Sequence, residues 1–279
     1  MRFVTRVCAR VQGKVEYMRG DRWGILRSNG RAARAVFFVL LCVLVAGCAG
    51  GIPSIPDTPE AILAKGDQYF KRKKCYQSQE LFKAFLARYA GHDRSDYAQY
   101  LLAESHFCQE DYALAAVEYR ILVTNYGYSE YADEGFFKEA LCNYYQSPKS
   151  ELDQAKAYEA LSQLQQFVQV FRQSPLVPEA NKYIALTQEK LARKELENAV
   201  FYYDHKRYLS ALIYLDKIIE NYPNNTFWVQ AKYLKARILV IRGERGDEAV
   251  ELLRQVTQYP ETLPVKKEAE LLLKEIGKG

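Results

Sequence analysis

One stretch constrains this chain more than any other: residues 195 to 223, ELENAVFYYDHKRYLSALIYLDKIIENYP. Ala199, Tyr202, Tyr208, Ala211, Leu215, Ile218 and Pro223 stand at offsets that lay two short helices side by side across a tight turn. The small Ala199 and Ala211 let the two backbones approach, and Tyr202 and Tyr208 fill the space beside the turn. Leu215 and Ile218 give the second helix an inward stripe, and Pro223 stops it. One hairpin of this kind cannot bury its own apolar face, so the stretch demands neighbours.

The neighbours are present. Ala103, Tyr112, Ala115, Tyr119 and Leu122 repeat the offsets, and Asn125-Tyr126-Gly127 sits where Asn221-Tyr222-Pro223 closes the unit described above. Gly66, Tyr69, Tyr76 and Phe82 mark an earlier unit whose turn reads as one residue longer. Ala236, Leu252 and Tyr259-Pro260 mark a last one. Between them lies a looser unit, with Ala140 and Tyr144 on its first helix, a break at Ser147-Pro148, and a second helix over about residues 151–173. This is the pattern of the tetratricopeptide repeat. The expected fold is all-α: a right-handed superhelical solenoid of about five tetratricopeptide-like hairpins, with a C-terminal capping helix over Val265 to Ile276. Thr58 and Pro59 read as its helical start. Leu176 to Asp204 reads as one continuous helix, dividing front repeats over residues 60–175 from rear repeats over residues 176–279.

The start of the chain has a different character. Residues 1–47 carry nine of the Lys/Arg and two of the Asp/Glu, and run into the apolar segment Ala35 to Leu44. That layout is expected of a removable signal peptide rather than a membrane span. Its length points to a true start codon downstream of Met1. It ends in Val45-Ala46-Gly47-Cys48, which resembles a bacterial lipobox, so Cys48 is the expected lipidation site and the covalent lipid the only expected non-protein group. Residues 48–59, with Gly50, Gly51, Pro53, Pro56 and Pro59, read as a lipidated tether. Ala49 stands where an aspartate would retain an enterobacterial lipoprotein in the inner membrane, so the outer membrane, facing the periplasm of a Gram-negative cell, is the expected address. Without its leader the chain's net charge falls from +5 to −2. The basic pI therefore gives no reason to expect nucleic-acid binding.

Nothing in the sequence has the spacing of a catalytic or metal site. His92, His106 and His205 are scattered, and no phosphate loop or nucleophile elbow occurs. The expectation is a protein that is not an enzyme and takes no cofactor or metal. Beyond Cys48, Cys75, Cys108 and Cys142 remain, an odd number for an oxidising compartment. Cys75 and Cys108 fall on the same edge of a stacked solenoid, and are either bridged or buried as small apolar side chains.

What remains is recognition. In tetratricopeptide arrays the first helix of each pair lines the concave face. Its lining offsets fall on Tyr97, Tyr100 and Phe107 in the second unit and on Phe137, Tyr144 and Tyr145 in the third, with Leu63 and Phe70 extending the row into the first. Such an aromatic groove suits an extended peptide carrying aromatic side chains. The competing use of each ring is to fill space between helices.

Lipobox, short Pro/Gly tether, about five degenerate repeats with Tyr-Pro endings, and the stretch from Lys190-Leu191-Ala192 to Tyr202-Tyr203 together resemble the BamD (ComL/YfiO) family, over nearly all of residues 48–279. Members are lipoprotein subunits of the outer-membrane β-barrel assembly machine. The resemblance implies a scaffold that docks the barrel-forming subunit BamA through its rear repeats, alongside other assembly lipoproteins. It also implies front repeats that receive the C-terminal segments of unfolded barrel precursors. On this chain the BamA candidates are His205, Lys206 and Arg207 in one turn, and Arg242 and Arg245 in the next. The alternatives are a tetratricopeptide lipoprotein of pilus or secretin biogenesis and an envelope regulator that binds a peptidoglycan enzyme.

Overall fold

The computed structural model describes residues 53–149, 152–223, 225–243, 246–259 and 264–277. The leader, Cys48 and Arg245 lie outside the described residues. Among those described, eleven α-helices follow one another: α1 (Pro59–Lys71), α2 (Cys75–Arg88), α3 (Ser95–Cys108), α4 (Tyr112–Asn125), α5 (Ala132–Gln146), α6 (Ala155–Val170), α7 (Val177–Asp204), α8 (Tyr208–Asn221), α9 (Thr226–Arg242), α10 (Gly246–Thr257) and α11 (Pro264–Ile276). No strand occurs among the described residues. Each helix packs on the one before and the one after it, with few contacts between more distant helices, which is the signature of a solenoid. Five hairpins, α1/α2 to α9/α10, are followed by α11, whose Leu272, Leu273 and Ile276 pack on the last hairpin's core.

Local chemistry sets the ends. The Thr58 hydroxyl accepts from the Ala61 amide at 3.3 Å, Asp111 from Leu114 at 3.4 Å and Asn225 from Trp228 at 2.9 Å, satisfying amides that a helix start leaves unpaired. Gly243 ends α9 in a left-handed conformation, φ 64°.

Three hairpin turns are the same object. Lys73, Glu110 and Lys206 are left-handed at φ 59°, 59° and 56°. The next amide reaches back in each case: Lys74 to the Tyr69 carbonyl, Asp111 to that of His106 and Arg207 to that of Tyr202, all at 2.9–3.0 Å. The first turn is therefore not longer than the others. Cys75, not Tyr76, holds the place of Tyr112 and Tyr208, and Tyr76 stays exposed. The aromatic residue attracts the alignment in the sequence, but the backbone turn sets the register. The same equivalence puts His106 where Tyr69 and Tyr202 stand. It is buried, and burial lowers its imidazole pKa, favouring the neutral ring.

Packing follows a line of small residues. Gly66, Ala103, Ala140, Ala199 and Ala236, one per hairpin, are all buried. In the first hairpin a side chain at Gly66 would meet the Phe82 ring at 2.8 Å. Phe82, Tyr119 and Leu215, on the facing second helices, are themselves fully buried. Cys75 and Cys108 form a disulfide with Cα atoms 6.2 Å apart, tying α2 to α3, and Cys142 is a buried free thiol that burial pushes up to about 12.

Two segments differ from the sequence reading. The end of the tether is fastened: the Tyr89 hydroxyl donates to the Asp57 carbonyl at 2.7 Å, and Lys65 donates to the Ser54 carbonyl at 2.7 Å. The second helix of the third hairpin is shorter than expected. Helix α7, in contrast, is one rod of 28 residues as expected. Its Ala180, Tyr183 and Ile184 pack with α5 and α6, while Leu191, Ala192 and Ala199 pack with α8 and α9, so front and rear repeats share it.

Gly66→Ala gains about 1 kcal/mol of helix propensity but must displace a fully buried ring, at about 1–3 kcal/mol. The expected net result is a lower urea midpoint. An unchanged or higher midpoint would mean that the Phe82 ring has room to move.

Candidate functional site

The front repeats bring two groups of rings into one row, with Lys138 between them. Tyr97 and Tyr100 of α3 both meet Tyr131, at 5.6 and 4.8 Å between centroids, the second pair stacked. Phe107, the next-to-last residue of α3, meets Tyr112 at 5.3 Å and Tyr145 at 6.0 Å. Tyr112 and Tyr145 stack at 5.0 Å. Tyr144 reaches Tyr183 of α7 at 5.1 Å, and the Tyr145 and Tyr183 hydroxyls are 2.9 Å apart. The row thus crosses α3, α5 and α7. Of these rings Tyr145 is exposed, while Tyr97, Tyr100, Phe107 and Tyr144 are half-buried, with their flanks fixed by neighbours.

Lys138 joins the two groups of rings. Its ammonium lies over the Tyr100 ring at 5.8 Å and the Phe107 ring at 5.6 Å, ion-paired to Glu104 and, at 3.2 Å, to Glu134. The Tyr119 phenol also donates to Glu104. These acids lie beside the phenols and keep them protonated. Burial above all, then Glu104 and Glu134, pushes Tyr100 far above the ordinary tyrosine range. Tyr97, which donates to Asp67 at 3.1 Å, is pushed up to about 12, again chiefly by burial. The row therefore offers flat apolar area edged with neutral hydroxyls, most of whose protons are already donated within the chain, suited to aromatic side chains and to donors that their free lone pairs can accept.

Not every expected lining residue belongs to it. Leu63 and Phe137 are buried in the front cores, Leu63 between the first repeats and Phe137 against Phe167 at 5.5 Å, so neither faces a groove. The inward stripe of a first helix is wider than the lining offsets assume. Phe70 packs on the first hairpin's core. Tyr131, Tyr112, Tyr183 and Lys138 were not assigned to the row from sequence. Tyr131 precedes its helix and Tyr183 stands in the early turns of the long α7, so neither falls on a repeat offset, whereas Tyr112 was visible only as a packing residue.

In the rear half, His205, Lys206 and Arg207 form an exposed basic turn. The His205 Nδ1 lies 2.7 Å from the Phe201 carbonyl and its ring packs on Phe201 at 4.4 Å, leaving the two cations outermost. Arg242 is half-buried in the last turn of α9. Among the described residues no cluster of His, Cys, Asp and Glu could hold a metal ion.

Stacked helical hairpins of this kind define a helical-repeat solenoid. The sequence places it further. The chain belongs to the YfiO family, described as outer membrane lipoprotein, whose model matches residues 56–246. A relative, the outer membrane protein assembly factor BamD of Caulobacter vibrioides, is 23% identical over 210 residues, covering 74% of this chain and 69% of its own length. A TPR protein of Thermus thermophilus is 15% identical with a TM-score of 0.33, covering 77% of this chain and 99% of its own. The pilF structure of Pseudomonas aeruginosa is 18% identical with a TM-score of 0.35, covering 76% and 97%.

The raised tyrosines make a pH prediction. An unfolded tyrosine titrates near 10, so the folded state holds its protons longer. The stabilisation is complete below about pH 10 and is lost as pH rises through about 12. Phenolate absorbance should show a late-titrating class that collapses to the ordinary range in urea. Tyr97→Phe should remove one member of that class, and an unchanged titration would refute the assignment.

Proposed function

We propose that the chain is a lipid-anchored, non-enzymatic scaffold of outer-membrane protein assembly. In this reading Cys48 carries the acyl chains, the helical repeats face the periplasm, and no cofactor beyond the lipid takes part. The front row from Tyr97 to Tyr183 receives the aromatic C-terminal segments of unfolded β-barrel precursors. The basic turn His205, Lys206 and Arg207, with Arg242 and Arg245, docks a BamA-type barrel protein, other assembly lipoproteins joining the same complex.

One observation carries this reading: two groups of rings, bridged by Lys138, follow the front first helices, and within each group the rings are already held by one another. Binding to rings whose rotamers are fixed in advance avoids much of the ordering cost of immobilising side chains. An extended strand with aromatic residues on one face presents side chains at alternate positions, and a row crossing three first helices gives them successive contacts. Family membership supplies the membrane context, and the relative from Caulobacter vibrioides is named for outer-membrane protein assembly.

The test is direct. A fluorescent peptide with the C-terminal sequence of a barrel protein, ending in phenylalanine, should bind the full chain in detergent. Tyr100→Ala combined with Tyr145→Ala should weaken it about tenfold or more, the scale of losing buried aromatic contacts. Deleting the terminal phenylalanine should weaken it comparably. In affinity purification from detergent-solubilised envelopes, Lys206→Glu with Arg207→Glu should lower recovery of the BamA-type protein. Recovery of a secretin or a peptidoglycan hydrolase in its place would reject the assembly reading.

A further inference from the structure

The turn between α1 and α2 carries four cations in succession, Lys71, Arg72, Lys73 and Lys74, all exposed. None of them is ion-paired among the described residues, and Lys74 lies over the Tyr69 ring at 5.9 Å. Tyr76, in the first turn of α2, stands exposed beside them. The backbone does not call for this charge. The α3/α4 and α7/α8 turns have the same left-handed residue and the same returning amide, yet their equivalent positions read Cys108-Gln109-Glu110-Asp111 and Asp204-His205-Lys206-Arg207. One turn geometry thus accepts acids and cations alike. Four adjacent cations repel one another, and here no paired carboxylate offsets them. The bias extends to the whole hairpin: residues 59–88 hold seven Lys/Arg and three Asp/Glu, a net +4, whereas the other residues after the leader sum to −6.

The tether runs toward this turn. Traced backward from Thr58, it doubles back along the first hairpin. The Tyr89 hydroxyl, just past the end of α2, donates to the Asp57 carbonyl, and the Arg88 guanidinium donates to that of Pro56 at 3.4 Å. Lys65, midway along α1, donates to the Ser54 carbonyl and hydroxyl at 2.7 and 2.9 Å, and Pro53 is buried. From Lys65 to Lys71 is an axial rise of about 9 Å. The five residues from Cys48 to Pro53 can span at most about 18 Å. Acyl chains on Cys48 would therefore keep a bilayer surface within reach of the turn.

We infer that the α1/α2 turn, Lys71 to Lys74 with Tyr76, rests on an anionic lipid surface, the face of the membrane that the acyl chains of Cys48 enter. The inference rests on the reading of Cys48 as the lipid-bearing residue. Charge complementarity selects the surface: clustered Lys and Arg beside a lipid anchor are drawn to anionic headgroups, and an exposed tyrosine suits the headgroup level. The two attachments do different work. The acyl chains supply residence in the membrane. The cations decide which edge of the first hairpin faces the bilayer, a choice that a tether fastened as far as Pro53 transmits to the stacked repeats.

The experiment places the chain purified from bacterial envelopes on vesicles of phosphatidylcholine alone or mixed with phosphatidylglycerol, and follows acetylation of each lysine by mass spectrometry. Lys71, Lys73 and Lys74 should react about fivefold more slowly on the mixed vesicles, and high salt should abolish the difference. Lys206, exposed in the same kind of turn, should react equally on both. Equal rates for Lys71, Lys73 and Lys74 on the two vesicle types overturn the proposal, as does protection that survives high salt. Equal protection of Lys206 also overturns it, because that marks a general effect of an anionic surface on amines. Protection found in native envelopes but not on the mixed vesicles overturns it in favour of an acidic protein partner. The mass of the amino-terminal peptide reads acylation of Cys48 separately. If Cys48 is unacylated the anchoring reading fails, and the same lysine comparison with vesicles in excess decides for the turn.

Discussion

The structure depends on how closely two helices can approach where each hairpin crosses. At Gly66 that approach leaves no room for even a methyl group against Phe82, and the four later hairpins place a buried alanine at the corresponding point. A larger residue there would separate the helices and void the contacts of the ring or leucine facing it. The turn is equally fixed. A left-handed residue at Lys73, Glu110 or Lys206 makes the second helix begin at one definite distance from the first, so small and large side chains meet in register. None of these three is glycine, so each turn carries a modest conformational cost that the packing of the hairpin offsets.

Stacking one hairpin on the next then decides what becomes of the aromatic side chains. Connections are pinned by polar contacts, Ser129 to Asp96 at 2.6 Å and Ser174 to Asp133 at 2.7 Å, which locate each unit against its predecessor. First-helix rings at these junctions have one flank against the neighbouring unit and one edge toward solvent. That intermediate position produces the row. A ring fully inside would be core, as Phe137 is, and a ring fully outside would lack the contacts that hold its rotamer.

Much of this was readable from sequence, because small-large offsets in a repeat are imposed by the helix crossing itself. The Ala199 to Ile218 pattern, the cap at Thr58 and the rod ending at Asp204 are all of that kind. Backbone conformation was not readable. Nothing in Arg72-Lys73-Lys74 advertises a left-handed residue, so Tyr76 drew the alignment one place too far and hid the equivalence of Cys75 with Tyr112. The row was half visible for a related reason. Offsets identify Tyr97, Tyr100 and Tyr145, but Tyr131 sits in a connection and Tyr183 in the added first half of α7, where no repeat position exists to point at them.

That added half is also the one departure from regularity, and its effects reach further than its length. The buried alanines of the second and third hairpins are as far apart as those of the fourth and fifth, whereas the step from Ala140 to Ala199 is longer. The extra residues lengthen α7 at its start, so its first half completes the front core through Ala180 and its second half the rear core through Leu191 and Ala199. A helix engaged with both cores carries two hairpin interfaces at once, so the stacking of the array runs on through it despite the longer repeat.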